Sequence, residues 1–174
     1  MTLTSLAALA AGAVALATIV PFGLPSSKTV QRTAVVEASV DDIYALLSTT
    51  EGFQTFNPYL DTDPDLQITP QGPEAGVGAG FAFSGKEGKG TQTITRLEEG
   101  SEVEMLIDLG AMGQPVQTFR LIPKGAATQV VWSVESDFGM NPLGRVFGLF
   151  MDGMLGPVYE RGLKNLSTVV GSPA

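Results

Sequence analysis

Between Val77 and Glu135, apolar side chains return at every second position in run after run. Val77, Ala79, Phe81 and Phe83 alternate with Gly78, Gly80, Ala82 and Ser84, and Val103, Met105, Ile107 and Leu109 with Glu102, Glu104, Leu106 and Asp108. Phe119 and Leu121 alternate with Thr118, Arg120 and Ile122, and Val130, Trp132 and Val134 with Val131, Ser133 and Glu135. A two-residue period sends one set of side chains to one face of a strand and the other set to the opposite face. Each run therefore predicts a strand with one face covered and one in water. Gly72-Pro73, Gly85 to Gly90, Glu99-Gly100, Gly113 to Pro115 and Pro123 to Ala126 punctuate the runs. Strands joined by turns this short build an antiparallel meander. The glycines of Gly76-Val-Gly78-Ala-Gly80 read as a strand start where missing side chains let the sheet bend sharply.

The period changes on either side of the meander. Thr29 to Glu37, with Val30, Val35 and Val36, reads as a strand. Ser39 is a candidate N-cap with Asp42 three residues on, and Val40, Ile43 and Leu47 follow at helical spacing. A second short helical or turn segment runs from Phe53 to Tyr59 and is ended by Asn57-Pro58. Beyond the meander, Asn141-Pro142 offers an N-cap with proline at the first helical position. Leu143, Phe147, Phe150 and Met154 then repeat at +4, +7 and +11, and Tyr159, Leu163, Leu166 and Val170 keep the same spacing. The pattern predicts a long amphipathic helix, broken or kinked at Gly156-Pro157. The expected architecture is α+β: a curved antiparallel sheet of about seven strands wrapped round a long C-terminal helix, with a cavity between them.

Several segments together carry a family likeness: the uncharged N-terminal segment ending in Pro25, Thr29-Val30-Gln31-Arg32-Thr33-Ala34-Val35-Val36, the helix from Ser39 to Leu47, the aromatic cluster from Phe53 to Tyr59, Gly72-Pro73 with Gly76 to Gly80, Gly88-Lys89-Gly90-Thr91-Gln92-Thr93-Ile94, and Tyr159-Glu160-Arg161-Gly162-Leu163-Lys164-Asn165-Leu166. In this order they resemble the START/Bet v 1-like superfamily, also called SRPBCC or polyketide-cyclase-like proteins. More narrowly they are similar to its bacterial membrane-anchored branch, described as polyketide cyclase/dehydrase or lipid-transport-like. The resemblance covers nearly the whole chain and implies a helix-grip fold that holds a hydrophobic ligand. Phe53, Phe56 and Tyr59 stand where such sequences often carry tryptophan, and the final helix is unusually rich in glycine and methionine.

Composition removes whole classes of chemistry. The chain of 174 residues has no Cys and no His, which excludes disulfides, zinc-finger clusters, cysteine nucleophiles and Ser-His-Asp arrangements. Its net charge of −8 argues against nucleic acid, which needs a clustered basic face. Glu98, Glu99, Glu102 and Glu104 gather at a turn and on a polar strand face, where solvation keeps them ordinary. Glu135, Asp137, Asp108 and Glu160 lie nearer the expected cavity, but no spacing pairs them as an acid and a base. No catalytic residue, metal ligand or cofactor is assigned.

No side chain from Met1 to Ser27 is charged. Leu3 to Leu24 would give about 33 Å of helix, enough to cross a hydrocarbon core of roughly 30 Å. Residues 1–25 are read as a single-pass membrane anchor, and residues 26–174 as the domain it carries. Ala15-Leu16-Ala17 fits the small-x-small pattern of a cleaved signal peptide, the alternative reading, with secretion as its consequence. A buried soluble helix is a third. Lys28 and Arg32 follow the segment, and the side of the membrane stays open.

Three motifs read as structure. Gly80 to Lys86 has phosphate-loop spacing, but Glu87 follows where Ser or Thr must hold magnesium, and the residues alternate as a strand. Asp61-Thr-Asp63-Pro-Asp65 opens like a calcium loop but lacks the glycine and the closing glutamate. Gly76 to Gly80 lacks dinucleotide-loop spacing. The candidate ligand cavity is lined by Phe81, Phe83, Met105, Phe119, Trp132, Phe147, Phe150, Met151, Met154 and Tyr159. Gly144, Gly148, Gly153 and Gly156 would soften the covering helix into a lid, at roughly 1 kcal/mol each relative to alanine. Tyr159, Arg120 and Arg145 are candidates to orient a ligand head group, although Arg120 alternates away from Phe119. The expected function is binding of a hydrophobic small molecule (a lipid, quinone or polyketide-like compound) at a membrane surface. The alternatives are a cyclase or dehydratase, and a ligand-free module that regulates a membrane partner.

Overall fold

The computed structural model describes residues 20–171. Residues 1–19, most of the expected anchor, lie outside the described residues. Among the described residues no helix is long and apolar enough to cross a membrane. A 3-10 turn, Val20–Gly23, leads into β1 (Ser27–Val36), α1 (Val40–Leu47), α2 (Thr50–Phe56), β2 (Gln67–Gln71), β3 (Gly80–Gly85), β4 (Gly88–Glu98), β5 (Glu102–Asp108), β6 (Val116–Lys124), β7 (Ala127–Asp137), α3 (Pro142–Gly148) and α4 (Met151–Gly171). The strands form one antiparallel sheet in the order β1-β7-β6-β5-β4-β3-β2. The expected α+β helix grip is present: a meander from β2 to β7, closed by the first strand beside the last, with the helices on its concave face.

Caps start the helices where the sequence places them. Ser39 Oγ accepts the Asp42 N–H at 3.2 Å, and Asn141 Oδ1 accepts the N–H groups of Leu143 and Gly144, both at 3.1 Å. Each satisfies donors that a first helical turn leaves free. Asp41 and Asp42 also sit in the first turn of α1, where the helix dipole favours negative charge.

Inward residues follow the predicted alternation. Val30, Val103, Met105, Phe119, Leu121, Val130, Trp132 and Val134 are all buried in one core with Ile43, Leu47, Phe53 and Phe56. Val77 is a correction: it is exposed, and β3 begins only at Gly80. Gly76 and Gly78 have φ values of 86° and 91°, so this stretch is a turn and not a strand start. The missed strand is β2, polar and carrying Pro70. It is an edge strand, where a residue without an N–H is tolerated.

The C-terminal helix breaks elsewhere than expected. Pro157 lies inside a continuous α4, and the chain bends at Leu149-Phe150 instead. The carbonyl that Pro157 leaves without a donor belongs to Gly153, which is exposed, so water can satisfy it.

The glycines do not soften a lid. A Cβ at Gly162 would overlap the Trp132 ring, one at Gly156 the Arg32 guanidinium, and ones at Gly144 and Gly148 the Phe138 ring. These are places where large side chains press against helix backbone. Gly153 alone of the four expected lid glycines meets nothing.

Two ion-pair groups correct the reading of the charges. Glu102 is buried, not solvated: its carboxylate is shared between the guanidinium of Arg96 and that of Arg120, the latter at 3.0 Å. Flanking arginines of opposite charge are what make such burial tolerable. Arg120 is thereby an outer-face charge and not a ligand contact.

Arg32 pins α4 to β1, bonding both oxygens of Asp152 at 2.9 and 3.1 Å and Glu160 at 2.6 Å. The hydrogen bonds from Arg32 hold the Asp152 carboxyl below its ordinary value of 3.8. A depressed carboxyl contributes stability above its unfolded value and loses it as pH falls through the folded one. The expected result is a urea midpoint that falls between pH 6 and pH 3, with a shallower fall in Asp152→Asn. Equal slopes in the two proteins would show that the pin contributes nothing.

Candidate functional site

The space gripped between sheet and helices is filled with aromatic rings. Trp132 stacks on Tyr159 with centroids 4.5 Å apart and planes 11° from parallel. Phe119 lies 4.6 Å from Trp132 on its other flank. Phe53 and Phe56 of α2 meet Trp132 edge-on at 6.4 and 6.2 Å, and Phe53 stacks on Phe81 at 5.7 Å. The register explains the set: Phe119 is paired with Trp132 across β6–β7, and both point inward. The strand at Trp132 can approach α4 because Gly162 offers no side chain.

Seven of the ten expected cavity residues meet here or at its edge. Phe81, Met105, Phe119, Trp132, Met151 and Tyr159 are buried, and Phe83 is half-buried against Phe81. Phe147, Phe150 and Met154 are exposed and line no interior. Leu143 and Phe147 lie on α3, Phe150 in the break and Met154 on α4, and α3 packs on Phe138 through Gly144 and Gly148, which leaves its large side chains outward.

The grip is closed. The gap left among Thr50, Phe53, Phe81, Gln92 and Met105 is about 10 Å³, the lower limit for a single water. A second hollow of about 140 Å³ lies outside the grip, between Pro25–Lys28 and the end of α3. At this gap the expected open cavity is packed, and a ligand entering there must part α2 from the sheet. Thr50 Oγ1 donates to the Gly80 carbonyl at 3.0 Å across the α2–β3 seam.

Four donors in and around this core are short of good acceptors. Trp132 Nε1 and Gln54 Nε2 are buried with no partner. Gln92 and Gln117, both buried, direct their amide nitrogens at the thioether sulfur of Met105, at 3.0 and 3.6 Å, and a thioether is a weak acceptor. Leaving a buried donor unmatched costs roughly 1–3 kcal/mol, so such groups call for an explanation. Neither glutamine was among the expected site residues. The signal was there: each interrupts an apolar register at an inward position, Gln92 opposite Phe81 and Gln117 opposite Val134.

The acids expected near the cavity stay outside it. Glu135, Asp137 and Glu160 are exposed, and Asp108 accepts from the Gly110 N–H at 2.7 Å and from Gln114 at 3.0 Å. Asp61 is held by Asn165 at 2.7 Å and Asp63 by the Lys86 N–H at 2.8 Å, so the calcium-like triplet ties loops together. Among the described residues no three carboxylates converge as a metal site. Arg145 binds backbone carbonyls and does not face the core.

The ionisable groups at the core are tyrosines. Burial pushes the Tyr59 hydroxyl up to about 12, and burial together with Tyr59 pushes that of Tyr159 well above its ordinary 10. A raised group contributes stability that is whole below pH 10 and lost as pH climbs through the folded values. Phenolate absorbance is therefore expected to rise together with unfolding, between pH 10 and pH 12. Ionisation of more than one of the three tyrosines near pH 10 with the fold intact would contradict this burial, since Tyr44 is only half-buried.

A curved antiparallel sheet gripping a C-terminal helix, with an apolar interior, defines a helix-grip fold. The chain belongs to the family described as polyketide cyclase / dehydrase and lipid transport, whose model matches residues 27–171. No curated protein matches. Among solved structures, the chain is similar to norcoclaurine synthase from Thalictrum flavum in complex with dopamine and hydroxybenzaldehyde. That match has a TM-score of 0.63 and 17% identity over 87% of this chain and 91% of that one. A protein from Chromobacterium violaceum matches with a TM-score of 0.61 and 14% identity, over 84% and 99%. The di-domain ARO/CYC of the steffimycin biosynthetic pathway matches with a TM-score of 0.61 and 10% identity, over 83% of this chain and 51% of that one. At these identities the likeness shows a shared fold.

Proposed function

We propose that this domain binds a hydrophobic small molecule that carries acceptor oxygens, of the lipid, quinone or polyketide-like kind, between its sheet and its helices. In this reading residues 1–25 hold it at a membrane surface, beside the pool from which such a ligand partitions. The observation that carries the reading is the set of buried donors without good acceptors (Trp132 Nε1, Gln54 Nε2 and the amides of Gln92 and Gln117) set among aromatic rings. Apolar ligand surface would gain about 25 cal/mol for each Å² taken from water. A ligand carbonyl would satisfy a donor that the empty protein leaves idle. The family's description, which includes lipid transport, supports the same reading.

Two other readings have an observation each. The cyclase or dehydratase reading would have to move protons through Tyr159 or Tyr59, both held neutral, since the carboxylates lie outside the core. The ligand-free module is favoured by the closed packing.

Trp132 is the only tryptophan, so its emission reports on this core alone. Titrating the full chain with a short-chain quinone is expected to quench it saturably at one-to-one stoichiometry. Gln117→Leu should weaken that binding about twofold to tenfold, the worth of one hydrogen bond of roughly 0.5–1.5 kcal/mol. Emission unmoved by quinones, fatty acids and polyketide-like phenols alike would favour the ligand-free module.

A further inference from the structure

We propose that α3 and the start of α4 lie flat in the headgroup layer of a lipid bilayer, a second membrane contact made through the outward stripe of Leu143, Phe147, Phe150 and Met154. The inference rests on the reading of residues 1–25 as an anchor and adds the pose in which the anchored domain sits. The stripe is 79%, 47%, 61% and 54% exposed along its length. Most of the large apolar side chains exposed among the described residues lie in this region. Contiguous exposed apolar surface of this kind marks a contact with something. The helix packs its glycines inward on Phe138 and its large residues outward, an arrangement that is costly in water and suited to an apolar neighbour.

Two observations point to a bilayer. The first is where the apolar N-terminal segment joins the fold. Arg145 of α3 donates to the carbonyls of Phe22 at 2.9 Å and Leu24 at 3.1 Å, and its guanidinium lies 5.7 Å over the Phe22 ring. The described chain therefore begins beside α3, and an anchor formed by the uncharged residues before it would hold the stripe at the membrane surface.

The second is charge. From Phe138 to Met151 the chain has no acidic residue and a single basic one, Arg145, although the whole molecule carries −8; Asp137 and Asp152 bound this stretch, and Asp152 is paired with Arg32 at 2.9 Å. Lys28 sits beside Gly148, which α3 buries against it. An apolar face with basic residues such as Arg145 and Lys28 near it can settle roughly 5–10 Å into the headgroup boundary.

The absence of cysteine allows a clean test. The full chain carrying Phe147→Cys, labelled with an environment-sensitive dye, is bound to vesicles of phosphatidylcholine and phosphatidylglycerol. Lys124→Cys, in the β6–β7 hairpin at the opposite end of β7, is the control. Expected at 147 are a blue shift, loss of quenching by aqueous iodide and strong quenching by lipids with a nitroxide high on the acyl chain, with none of these at 124. If the protein floats with the vesicles but the dye at 147 stays open to iodide, the docking is wrong and the anchor stands. If the dye is shielded from iodide yet untouched by the nitroxide lipids, the stripe is covered by residues 1–19 or by a second copy, and the docking is again wrong. If the protein does not float, the anchor and the docking fall together, while ligand binding in the core is judged separately by Trp132 emission.

Discussion

Trp132→Ala is expected to lower folding stability by about 3–5 kcal/mol, the range for deleting a large buried aromatic side chain. The ring is 1% exposed and touches Phe53, Phe56, Phe119 and Tyr159, so its loss empties the centre of the grip. The urea midpoint followed by circular dichroism measures the effect without the missing fluorophore. Trp132→Phe separates packing from polarity. It gives up part of the ring volume but also removes a buried N–H with no partner, and these two effects, each of order 1 kcal/mol, oppose one another. Stability should thus change little, whereas retention of an acceptor-bearing ligand should fall. A Trp132→Phe protein as unstable as Trp132→Ala, or one that holds ligand fully, would contradict a ligand role for that N–H.

Gly162→Ala is expected to destabilise by about 1–3 kcal/mol, the usual cost of overpacking a core. On helix propensity alone it should instead stabilise by roughly 1 kcal/mol. The added methyl would overlap the Trp132 ring and lie 3.2 Å from Pro58, so α4 must lift away from β7. Gly153→Ala is the matched control: the same helix, with open space at the Cβ position, where propensity alone operates and stability should rise. Chemical denaturation of the pair reads the sign of each change. Equal stabilisation at both positions would mean that α4 does not press on Trp132 in solution.

The sheet was legible because its inner face is built from one repeated rule. Phe119, Leu121, Val130, Trp132 and Val134 alternate cleanly, and each is buried where its parity predicts. Val77 obeys the same parity yet stands in a turn, since alternation cannot distinguish a strand from a glycine hairpin that happens to be in phase. Glu102 has the parity of an outer residue, and only cross-strand neighbours far apart in sequence, Arg96 and Arg120, make its burial possible. Leu143, Phe147, Phe150 and Met154 show the deepest limit. Helical spacing puts them on one face of a single helix, whereas the helix breaks between Gly148 and Met151, and spacing does not say which way such a face points. That choice is made by Gly144 and Gly148 against Phe138, a contact no periodicity encodes. Gln92 and Gln117 were the reverse case, polar residues at apolar positions whose parity already placed them inside.

The most direct test of a ligand-binding core is native mass spectrometry of the full chain released from membranes, followed by denaturing extraction of whatever it carries. The account predicts a discrete added mass that resolves on extraction to one apolar, oxygen-bearing compound and is diminished in Trp132→Phe and Gln117→Leu. A chain that flies at its bare mass, and takes up nothing after incubation with membrane extract, would contradict it.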